Sequence, residues 1–266
     1  MIQKAFINQW GTLVPWNSPR LVEQDLIICR ALVSIYSDPF LASHLAFRGG
    51  TALHKIYLQP QPRYSEDIDL VQLNAEPIKE TIEHLRDALS WLGQPAVKQK
   101  KHNNTLIFKV QPTEIGAGEI HLKIEINCKE HFHVFPLVEI PFAVQCDWFW
   151  GECKITTYEL NELVGTKVRA LYQRLKGRDL FDVYTALSTG LLNPDRVLTA
   201  YNRYLRFVAS HAPTYKEFVI NMEEKMKNPD FLGDTVGLLR PKLGYNPQNA
   251  WEKVHDELIS RLRLPE

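Results

Sequence analysis

Two aspartates separated by one residue, Asp67 and Asp69, have the spacing in this sequence that most directly suggests chemistry. They belong to the stretch SEDIDLVQL, which we predict to be a β-strand. Side chains alternate along a strand, so both carboxylates would project from one face, about 6 to 7 Å apart. Two such anions repel each other unless a cation lies between them, and Mg²⁺ accepts carboxylate and phosphate oxygens together. Taken alone, the pair is more typical of the solvated face of an edge strand.

A glycine pair precedes the aspartates, in the stretch FRGGTALHKIY. We predict that Gly49, Gly50 and Thr51 open a short helix. Glycine lets backbone N–H groups approach a phosphate closely, and the N-terminus of a helix attracts anions. A Gly-Gly pair alone more often marks a tight turn. Followed by a strand with two carboxylates, however, the turn predicts a site for a nucleoside triphosphate.

A third carboxylate is required if two metal ions are to hold a phosphate during in-line displacement. The stretch EIHLKIEIN, residues 119–127, alternates between apolar and polar residues and is predicted to be a strand. Glu125 is on its polar face and is the first candidate for a third metal ligand, if this strand neighbours the one with the aspartates. Glu119, nearer the turn, is the alternative. An exposed strand carboxylate without function remains an open interpretation.

The composition is that of a soluble globular protein. Among 266 residues, 31 lysines and arginines balance 31 aspartates and glutamates, so the net charge does not indicate nucleic-acid binding. Cys29, Cys128, Cys146 and Cys153 lack Cys-x-x-Cys spacing, which predicts reduced thiols. No signal peptide and no apolar run of about 18 residues is visible in the sequence. We therefore expect a cytoplasmic protein that does not enter a membrane.

The apolar pattern predicts an α+β protein, with a mixed β-sheet flanked by helices in the first part of the chain. A first helix is expected after Ser18-Pro19, because serine suits the N-cap and proline the first helical position. Residues 66–157 are predicted to be mostly strand, with one helix at about 76–92. The strand at 119–127 is expected to have two neighbours, at 105–110 and 138–146.

From Cys153 onward the sequence is predicted to be helical. Thr156 and Glu159 have the Thr-x-x-Glu spacing of a capping box, which would start the first of these helices. Further helices are expected after Gly177, after Asn193-Pro194, at about 213–228 and at about 247–263. We therefore expect an α/β core with an N-terminal helix over residues 1–155 and a helical part over residues 156–266.

Two blocks of the sequence resemble the AbiEii/AbiGii toxin-like nucleotidyltransferases of the DNA polymerase β-like superfamily. The block F-R-G-G-T-A-L-H-K…R-Y-S-E-D-I-D-L is similar to the family's first motif, a Gly-Gly or Gly-Ser followed downstream by Asp-x-Asp or Asp-x-Glu. The block KVRALYQRLKGRDLFDVY, residues 167–184, is similar to the family's C-terminal motif, a helical lysine followed by Arg-Asp-x-x-Asp. The resemblance implies a polymerase-β-like nucleotidyltransferase core followed by a helical C-terminal part.

The first block implies a site for a metal ion and a nucleoside triphosphate. By this resemblance, Asp67 and Asp69 hold Mg²⁺, for which Mn²⁺ would substitute, and one of them lies near the attacking hydroxyl. The residues that would receive the triphosphate are Gly49, Gly50, Thr51 and Ser65. The family's third metal-binding carboxylate is often absent or displaced. Glu125 is therefore inferred from strand geometry and is not carried over from the family.

The second block implies residues that act on the nucleotide. Lys167 would neutralise negative charge on the triphosphate. Arg178, Asp179 and Asp182 are on the next helix, where the two aspartates are three residues apart and share a face. These aspartates would orient Lys167 or contact the base or ribose. We expect Lys167 and Asp182 to be catalytic, together with the two aspartates of the first block.

The resemblance also implies a biological role. The expected reaction transfers a nucleoside monophosphate from an NTP to an acceptor hydroxyl. The protein would be the toxin of a toxin–antitoxin or phage-defence system, with tRNA as the acceptor and a cognate antitoxin protein as a partner. In one alternative the acceptor is a protein or a small molecule such as an antibiotic. In the other, the domain binds a nucleotide or a partner without catalysis.

Several other features have both a structural and a functional interpretation. His131 and His133 alternate on a strand-like stretch, and structural roles are expected because only two ligands are local. The basic run KQKKH, residues 98–102, predicts a solvated turn or a contact with RNA phosphates. In YNRYLRF, residues 201–207, we expect packed tyrosines and exposed arginines, not a nucleic-acid surface. The tryptophans are expected to pack in the interior, including Trp148 and Trp150.

Overall fold

The computed structural model describes residues 2–263 except 115, 117 and 210. The chain divides into two compact units, Met1–Tyr158 and Glu159–Glu266. The first unit contains a seven-stranded sheet with helices around it. The second unit is built of helices. A mixed sheet flanked by helices and a helical C-terminal part confirm the α+β class predicted from the sequence.

The elements are numbered in chain order. The helices of the first unit are α1 (Lys4–Gly11), α2 (Pro19–Ser37), α3 (Pro39–His44), α4 (Gly49–Ala52), which continues as a π-helix (Leu53–Tyr57), and α5 (Lys79–Ala88), which is followed by a 3₁₀ turn (Ser90–Leu92). Its strands are β1 (Leu45–Arg48), β2 (Ile68–Gln72), β3 (Ala96–Lys100), β4 (Asn103–Val110), β5 (Ile120–Asn127), β6 (Val138–Cys146) and β7 (Phe149–Thr157). The second unit contains α6 (Leu160–Gln173), α7 (Gly177–Ser188), α8 (Pro194–Val208), α9 (Tyr215–Lys225), α10 (Pro229–Gly233), α11 (Pro247–Glu257) and a 3₁₀ segment (Ile259–Arg263).

Strand β2, which carries Asp69, lies in the middle of the sheet. The strand order is β3-β4-β5-β2-β1-β7-β6. β2 pairs antiparallel with β1 and parallel with β5. Asp67 immediately precedes β2. The sheet order therefore brings the glycine turn at the end of β1 and the polar face of β5 to the two sides of the strand with the carboxylates.

The two faces of β5 differ in burial, as its alternating sequence predicts. The apolar residues of the strand are fully buried: Ile120, Leu122, Ile124 and Ile126. The polar residue His121 is exposed, and Glu125 is partly exposed. Helix α2, which packs against β5 and β7, covers the apolar side with fully buried residues such as Leu26 and Leu32. Burial of about 25 cal/mol per Å² of apolar surface sets the register of these strands, because a shift by one residue would expose the whole apolar face.

Of the two strands predicted to neighbour β5, only one does so. β4 pairs with β5 along its whole length, as predicted. The prediction for β6 is wrong, because β6 pairs with β7 at the opposite edge of the sheet. A short turn joins β6 and β7, and two antiparallel strands connected in this way pair locally. Sequence alternation identifies such strands but does not identify their partners.

The predicted start of the first C-terminal helix is also wrong. Thr156 is the next-to-last residue of β7 and pairs with Glu139 of β6, so its backbone belongs to the sheet. Its hydroxyl donates to the carbonyl oxygen of Ala42 at 3.2 Å. Helix α6 begins four residues later, at Leu160, and its N-cap is Glu159, whose carboxylate accepts from backbone N–H groups of the first turn. The Thr-x-x-Glu spacing therefore does not form a capping box here.

Helix α8 provides the apolar centre of the second unit. Tyr201 and Tyr204 are fully buried, and the Tyr204 hydroxyl donates to Oε1 of Glu162 at 2.8 Å. Arg203 and Arg206 on the same helix are exposed. This distribution confirms packed tyrosines and exposed arginines. Opposite α8, Gly165 of α6 allows close contact, because a Cβ atom there would lie 2.7 Å from the Cβ of Ala200.

The remaining sequence features have mostly structural roles. Nδ1 of His131 is 2.8 Å from the carbonyl oxygen of Gln72, and Nδ1 of His133 is 2.8 Å from that of Phe135. The basic run occupies the end of the exposed strand β3 and the turn after it. Trp150 is 68% exposed, so the packing expected for it is wrong. The four cysteines are free thiols. Within the described residues, helices long and apolar enough to cross a bilayer are absent.

We predict that Gly165→Ala destabilises the second unit. The added Cβ would lie 2.8 Å from the carbonyl oxygen of Val197, and this backbone atom cannot rotate away. Overpacking of this kind costs about 1–3 kcal/mol, and the better helix propensity of alanine returns about 1 kcal/mol. We therefore expect a net loss of up to about 2 kcal/mol, measured by thermal and urea unfolding followed by circular dichroism.

Gly233→Ala is the matched control for this prediction. Gly233 is also in a helix, but it is exposed and a Cβ built on it meets no atom within 4 Å. The free energy of unfolding of this variant should stay the same or rise by up to about 1 kcal/mol, because only the helix-propensity gain of alanine applies. Equal effects of the two substitutions would contradict the close packing of α6 against α8.

Candidate active site

The turn after β1 lies directly against the Asp69 carboxylate. Gly49, the first residue of α4, has a φ of +82°, where a residue with a side chain is strained. A Cβ atom on Gly49 would lie 1.9 Å from Oδ2 of Asp69. This closeness follows from the pairing of β1 with β2, which sets Arg48 opposite Asp69. Glycine is therefore required at position 49 both by the backbone conformation and by the space that Asp69 occupies.

Hydrogen bonds of Thr51 connect this turn to the segment that carries Asp67. The Thr51 side chain is fully buried, and its hydroxyl donates to the backbone carbonyl oxygen of Asp67. The same hydroxyl is hydrogen-bonded to that of Ser65 at 2.8 Å. Gly50 is buried as well. Thr51 thus holds the glycine turn and the Asp67 segment in one arrangement, and the triphosphate contacts of these residues stay predictions.

Asp67 is in an environment that disfavours its negative charge. Burial raises the pKa of Asp67 to about 6, against the opposing effect of the Lys123 ammonium and with further increases from Glu66, Asp69 and Glu125. Oδ1 of Asp67 is buried and accepts no hydrogen bond from any described residue. Nζ of Lys123 is 3.9 Å from this atom, too far for a hydrogen bond. A carboxylate oxygen without a donor retains its capacity to act as a ligand for a cation.

The strand register places Glu125 beside Asp69. In the parallel pair of β2 and β5, Asp69 is the partner of Glu125, so both residues are on the same face of the sheet and about 4.8 Å apart across the strands. This is the position expected for Glu125 from the sequence. Glu119 precedes Glu125 by six residues, about 20 Å along an extended chain. It forms an ion pair with Lys109 and lies 3.3 Å from Nε2 of His121. The alternative candidate is therefore not part of this group.

The residues present fit a metal ion that is bound together with a nucleotide. Among the residues that the structure describes, there is no group of three or more His, Cys, Asp and Glu side chains arranged to hold a metal ion. Mg²⁺ characteristically uses one or two protein carboxylates and completes its coordination with water and substrate phosphates. The unpartnered Oδ1 of Asp67 and the adjacent carboxylate of Asp69 meet that requirement.

A second group of charged residues lies within the second unit, around Lys167. Nζ of Lys167 is 2.8 Å from Oδ2 of Asp182 and 3.5 Å from Oδ1 of Asp179, and both carboxylates are fully buried. Arg174 donates two hydrogen bonds to Asp179, at 2.6 and 2.7 Å. Buried carboxylates need such charged partners, because an unpaired buried charge is costly. The two aspartates hold the ammonium of Lys167, one of the arrangements expected for them.

Arg178 is oriented toward a different partner. Its Nε is 3.2 Å from Oδ2 of Asp234, and its backbone N–H donates to the same oxygen at 3.0 Å. Lys176 adds a second cation beside this carboxylate, with its Nζ 3.5 Å from Oδ1 of Asp234. These contacts of Arg178 join α7 to the segment after α10. Its predicted contact with a nucleotide stays a prediction.

Three residues near these groups were not singled out in the sequence. Lys123 is two residues before Glu125 on the same strand face, and alternation alone could have identified it. Arg174 has no local signal, because its role depends on how α6 and α7 pack. Arg48 forms an ion pair with the buried Glu130, which connects the residue before the glycine turn to the loop after β5.

Known structures resemble this fold. The structure of MenT4, nucleotidyltransferase toxin Rv2826c from Mycobacterium tuberculosis H37Rv, superposes with a TM-score of 0.62 at 17% identity and covers 99% of each chain. The structure of JHP933 from Helicobacter pylori gives a TM-score of 0.51 at 16% identity and covers 92% of this chain and 96% of the other. At such low identity the similarity establishes a shared fold. No curated protein matches the sequence.

A family of known sequences matches most of the chain. Residues 30–255 match the family described as nucleotidyl transferase AbiEii toxin, type IV TA system. The matched range includes the glycine turn, Asp67 and Asp69, and the Lys167 group. It therefore contains every residue of both charged groups described above. The chain belongs to the AbiEii family of toxin nucleotidyltransferases and is itself a nucleotidyltransferase.

Proposed function

We propose that the protein transfers a nucleoside monophosphate from a nucleoside triphosphate to an acceptor hydroxyl in a metal-dependent reaction. The observation that carries this proposal is the Asp67 and Asp69 pair beside the Gly49 turn, in a chain of a nucleotidyltransferase family. The acceptor oxygen forms a bond with the α-phosphorus and loses its proton. The bond from that phosphorus to the oxygen bridging to the β-phosphate breaks, and pyrophosphate leaves.

The carboxylates of the first unit would hold the ion and the phosphates. Asp67 and Asp69 would be its protein ligands, with Glu125 as a third, and Mn²⁺ would substitute for Mg²⁺. When bound, the ion neutralises and orients the phosphate oxygens. Backbone N–H groups at Gly50 and the hydroxyl of Ser65 would contact the triphosphate. The hydrogen bonds of the glycine turn to the Asp67 segment support this role, because they fix the turn relative to the carboxylates before substrate binds.

Lys167 and Asp182 would act in the same reaction. Lys167 would neutralise charge that develops on the triphosphate as pyrophosphate leaves. Asp182 and Asp179 hold its ammonium at 2.8 and 3.5 Å, so little side-chain freedom is lost when a substrate binds. Arg178 and Asp179 would contribute to nucleotide binding. Preorganised charges of this kind supply much of the rate in phosphoryl transfer.

We propose tRNA as the acceptor and a toxin–antitoxin or phage-defence system in the cytoplasm as the setting. Membership in a toxin family supports this setting and implies a cognate antitoxin. The acceptor itself is inferred only from the family resemblance. The chain has zero net charge, so an RNA acceptor would have to be bound by local basic surfaces.

The reaction and its acceptor can be tested together. Purified protein is incubated with each α-³²P-labelled NTP and with either total tRNA or total cell protein, and the products are separated by gel electrophoresis. We expect label on RNA, dependence on Mg²⁺ or Mn²⁺, and loss of labelling with EDTA that excess Mg²⁺ restores. Label that appears only on protein would contradict the tRNA acceptor. Transfer that is unaffected by EDTA would contradict metal dependence.

We predict that Asp67→Asn and Asp69→Asn each lower the rate of transfer by about 100-fold or more. Each substitution removes one negative ligand and keeps the size of the side chain, and loss of one such group costs about 3 kcal/mol or more of transition-state stabilisation. Glu66→Gln is the matched control, because Glu66 is exposed and lies in the same segment. A folded Asp67→Asn variant with the rate of Glu66→Gln would refute the assignment.

Lys167→Met is expected to lower the rate by about 100-fold, with Lys227→Met, an exposed lysine of the same unit, as the control. Lys167→Met leaves Asp182 buried without its cation and could therefore unfold the second unit. The double variant Lys167→Met/Asp182→Asn removes both charges and keeps the test valid when the single variant melts early. A double variant that folds and retains the parent rate would show that neither residue acts in transfer.

A further inference from the structure

A cavity in the first unit lies away from the catalytic carboxylates. It has a volume of about 370 Å³ and lies between α2, the 3₁₀ turn after α5, the end of β4 and the β6–β7 turn. Aliphatic side chains line part of it, and its other walls are Arg30, Trp91, Lys109, Gln111 and Trp148. Along β4, Val110 is five residues from the partner of Glu125, a separation of about 16 Å. The cavity is therefore distinct from the proposed metal site.

Arg30 lies in this cavity among aromatic rings. Its guanidinium carbon is 4.0 Å from the ring centroid of Trp91, 4.6 Å from that of Trp148 and 5.0 Å from that of Phe149. Cation–π contacts of this length fix the plane of the guanidinium. They satisfy its charge only in part, because an aromatic ring is not a conventional hydrogen-bond acceptor for the N–H donors of the guanidinium.

The guanidinium of Arg30 has no anionic partner among the residues that the structure describes. It forms no hydrogen bond or ion pair with any residue in the described part of the chain, and its Nε is buried. The indole N–H of Trp91 is likewise buried without an acceptor. Burial lowers the pKa of Arg30, the direction expected for a cation without a counter-charge. By contrast, Lys109 is paired with Glu119 at 3.5 Å, and Gln111 donates to the same carboxylate at 2.9 Å.

We propose that this cavity binds one nucleotide unit, with its phosphate on the guanidinium of Arg30 and its base against the indole rings. Arginine binds phosphate through two parallel hydrogen bonds, and a guanidinium already held by rings is preorganised for this. Stacking of bases on aromatic side chains beside arginine is typical of single-stranded nucleic-acid sites. The nucleotide unit is either an unpaired nucleotide of the RNA acceptor or a free nucleotide. The first of these assignments rests on the proposed function.

The volume of the cavity favours a nucleotide over a carboxylate side chain. Cavities of about 300 Å³ and above hold whole small ligands. An aspartate or glutamate of a partner protein would neutralise Arg30 but would fill only part of this volume. A nucleotide supplies both the anion and a planar ring of suitable size.

The test is equilibrium binding in EDTA, where metal-dependent catalysis is absent. A fluorescein-labelled single-stranded RNA of twelve nucleotides is followed by anisotropy, and binding of nucleoside monophosphates is followed by calorimetry. We expect Arg30→Gln to weaken binding by about 10-fold or more, because a charge-assisted bidentate contact is lost. Trp148→Leu should weaken it as well, and it keeps the test valid if Arg30→Gln folds poorly. Arg86→Gln, an exposed arginine on α5, is the control for the loss of one positive charge.

The outcomes distinguish an RNA nucleotide from a free nucleotide as the ligand. They also distinguish failure of this proposal from failure of the proposed transfer reaction. Weaker binding of RNA alone identifies an RNA nucleotide, and weaker binding of the monophosphates as well identifies a free nucleotide. The inference is overturned if the wild-type protein binds neither probe, or if both variants bind like Arg86→Gln. It is also overturned if only a labelled acidic peptide responds to Arg30→Gln. Because EDTA is present throughout, failure of nucleotidyl transfer would not change these results.

Discussion

The contact between the backbone of Gly49 and the carboxylate of Asp69 is the constraint on which the site depends. Strands β1 and β2 pair so closely at this point that a single added carbon at position 49 would collide with Asp69. The glycine conformation, with φ at +82°, then turns the chain into α4 and brings Thr51 to the Asp67 segment. One backbone geometry therefore determines where the turn and both carboxylates lie.

The charges around this contact support the proposed cation site. Burial and the neighbouring carboxylates raise the pKa of Asp67 to about 6, while the ammonium of Lys123 at 3.9 Å opposes this shift only in part. A folded protein retains such an arrangement at a cost in stability. A divalent ion accompanied by substrate phosphates would offset that cost. The Lys167 group differs, because two buried carboxylates are already matched by the cations of Lys167 and Arg174.

Much of this site can be predicted from the sequence, because it rests on local patterns. Alternation along SEDIDL and EIHLKIEIN places Asp67, Asp69 and Glu125 on strand faces, and the register of β2 with β5 brings Glu125 beside Asp69 as expected. The glycine turn is likewise visible as a motif. The motif does not explain why position 49 requires glycine. The structure does, because the Asp69 side chain occupies the space that a Cβ atom at position 49 would need.

Features that depend on long-range pairing could not be predicted in this way. The position of β6 at the far edge of the sheet follows from its hairpin with β7, and the same pairing keeps Thr156 in a strand where its spacing suggested a helix cap. Arg174 and the aromatic surroundings of Arg30 depend on packing between separate elements. The pattern of apolar and polar residues within one segment does not predict such contacts between segments.

The central claim is that Asp67 and Asp69 together bind a metal ion in the presence of a nucleotide. The most direct measurement is anomalous X-ray scattering from crystals grown with Mn²⁺ and a non-hydrolysable NTP analogue. The account predicts an anomalous peak about 2.0–2.3 Å from carboxylate oxygens of both aspartates and from phosphate oxygens of the analogue. A bound nucleotide with its metal ion remote from Asp67 and Asp69, or with no metal ion at all, would contradict it.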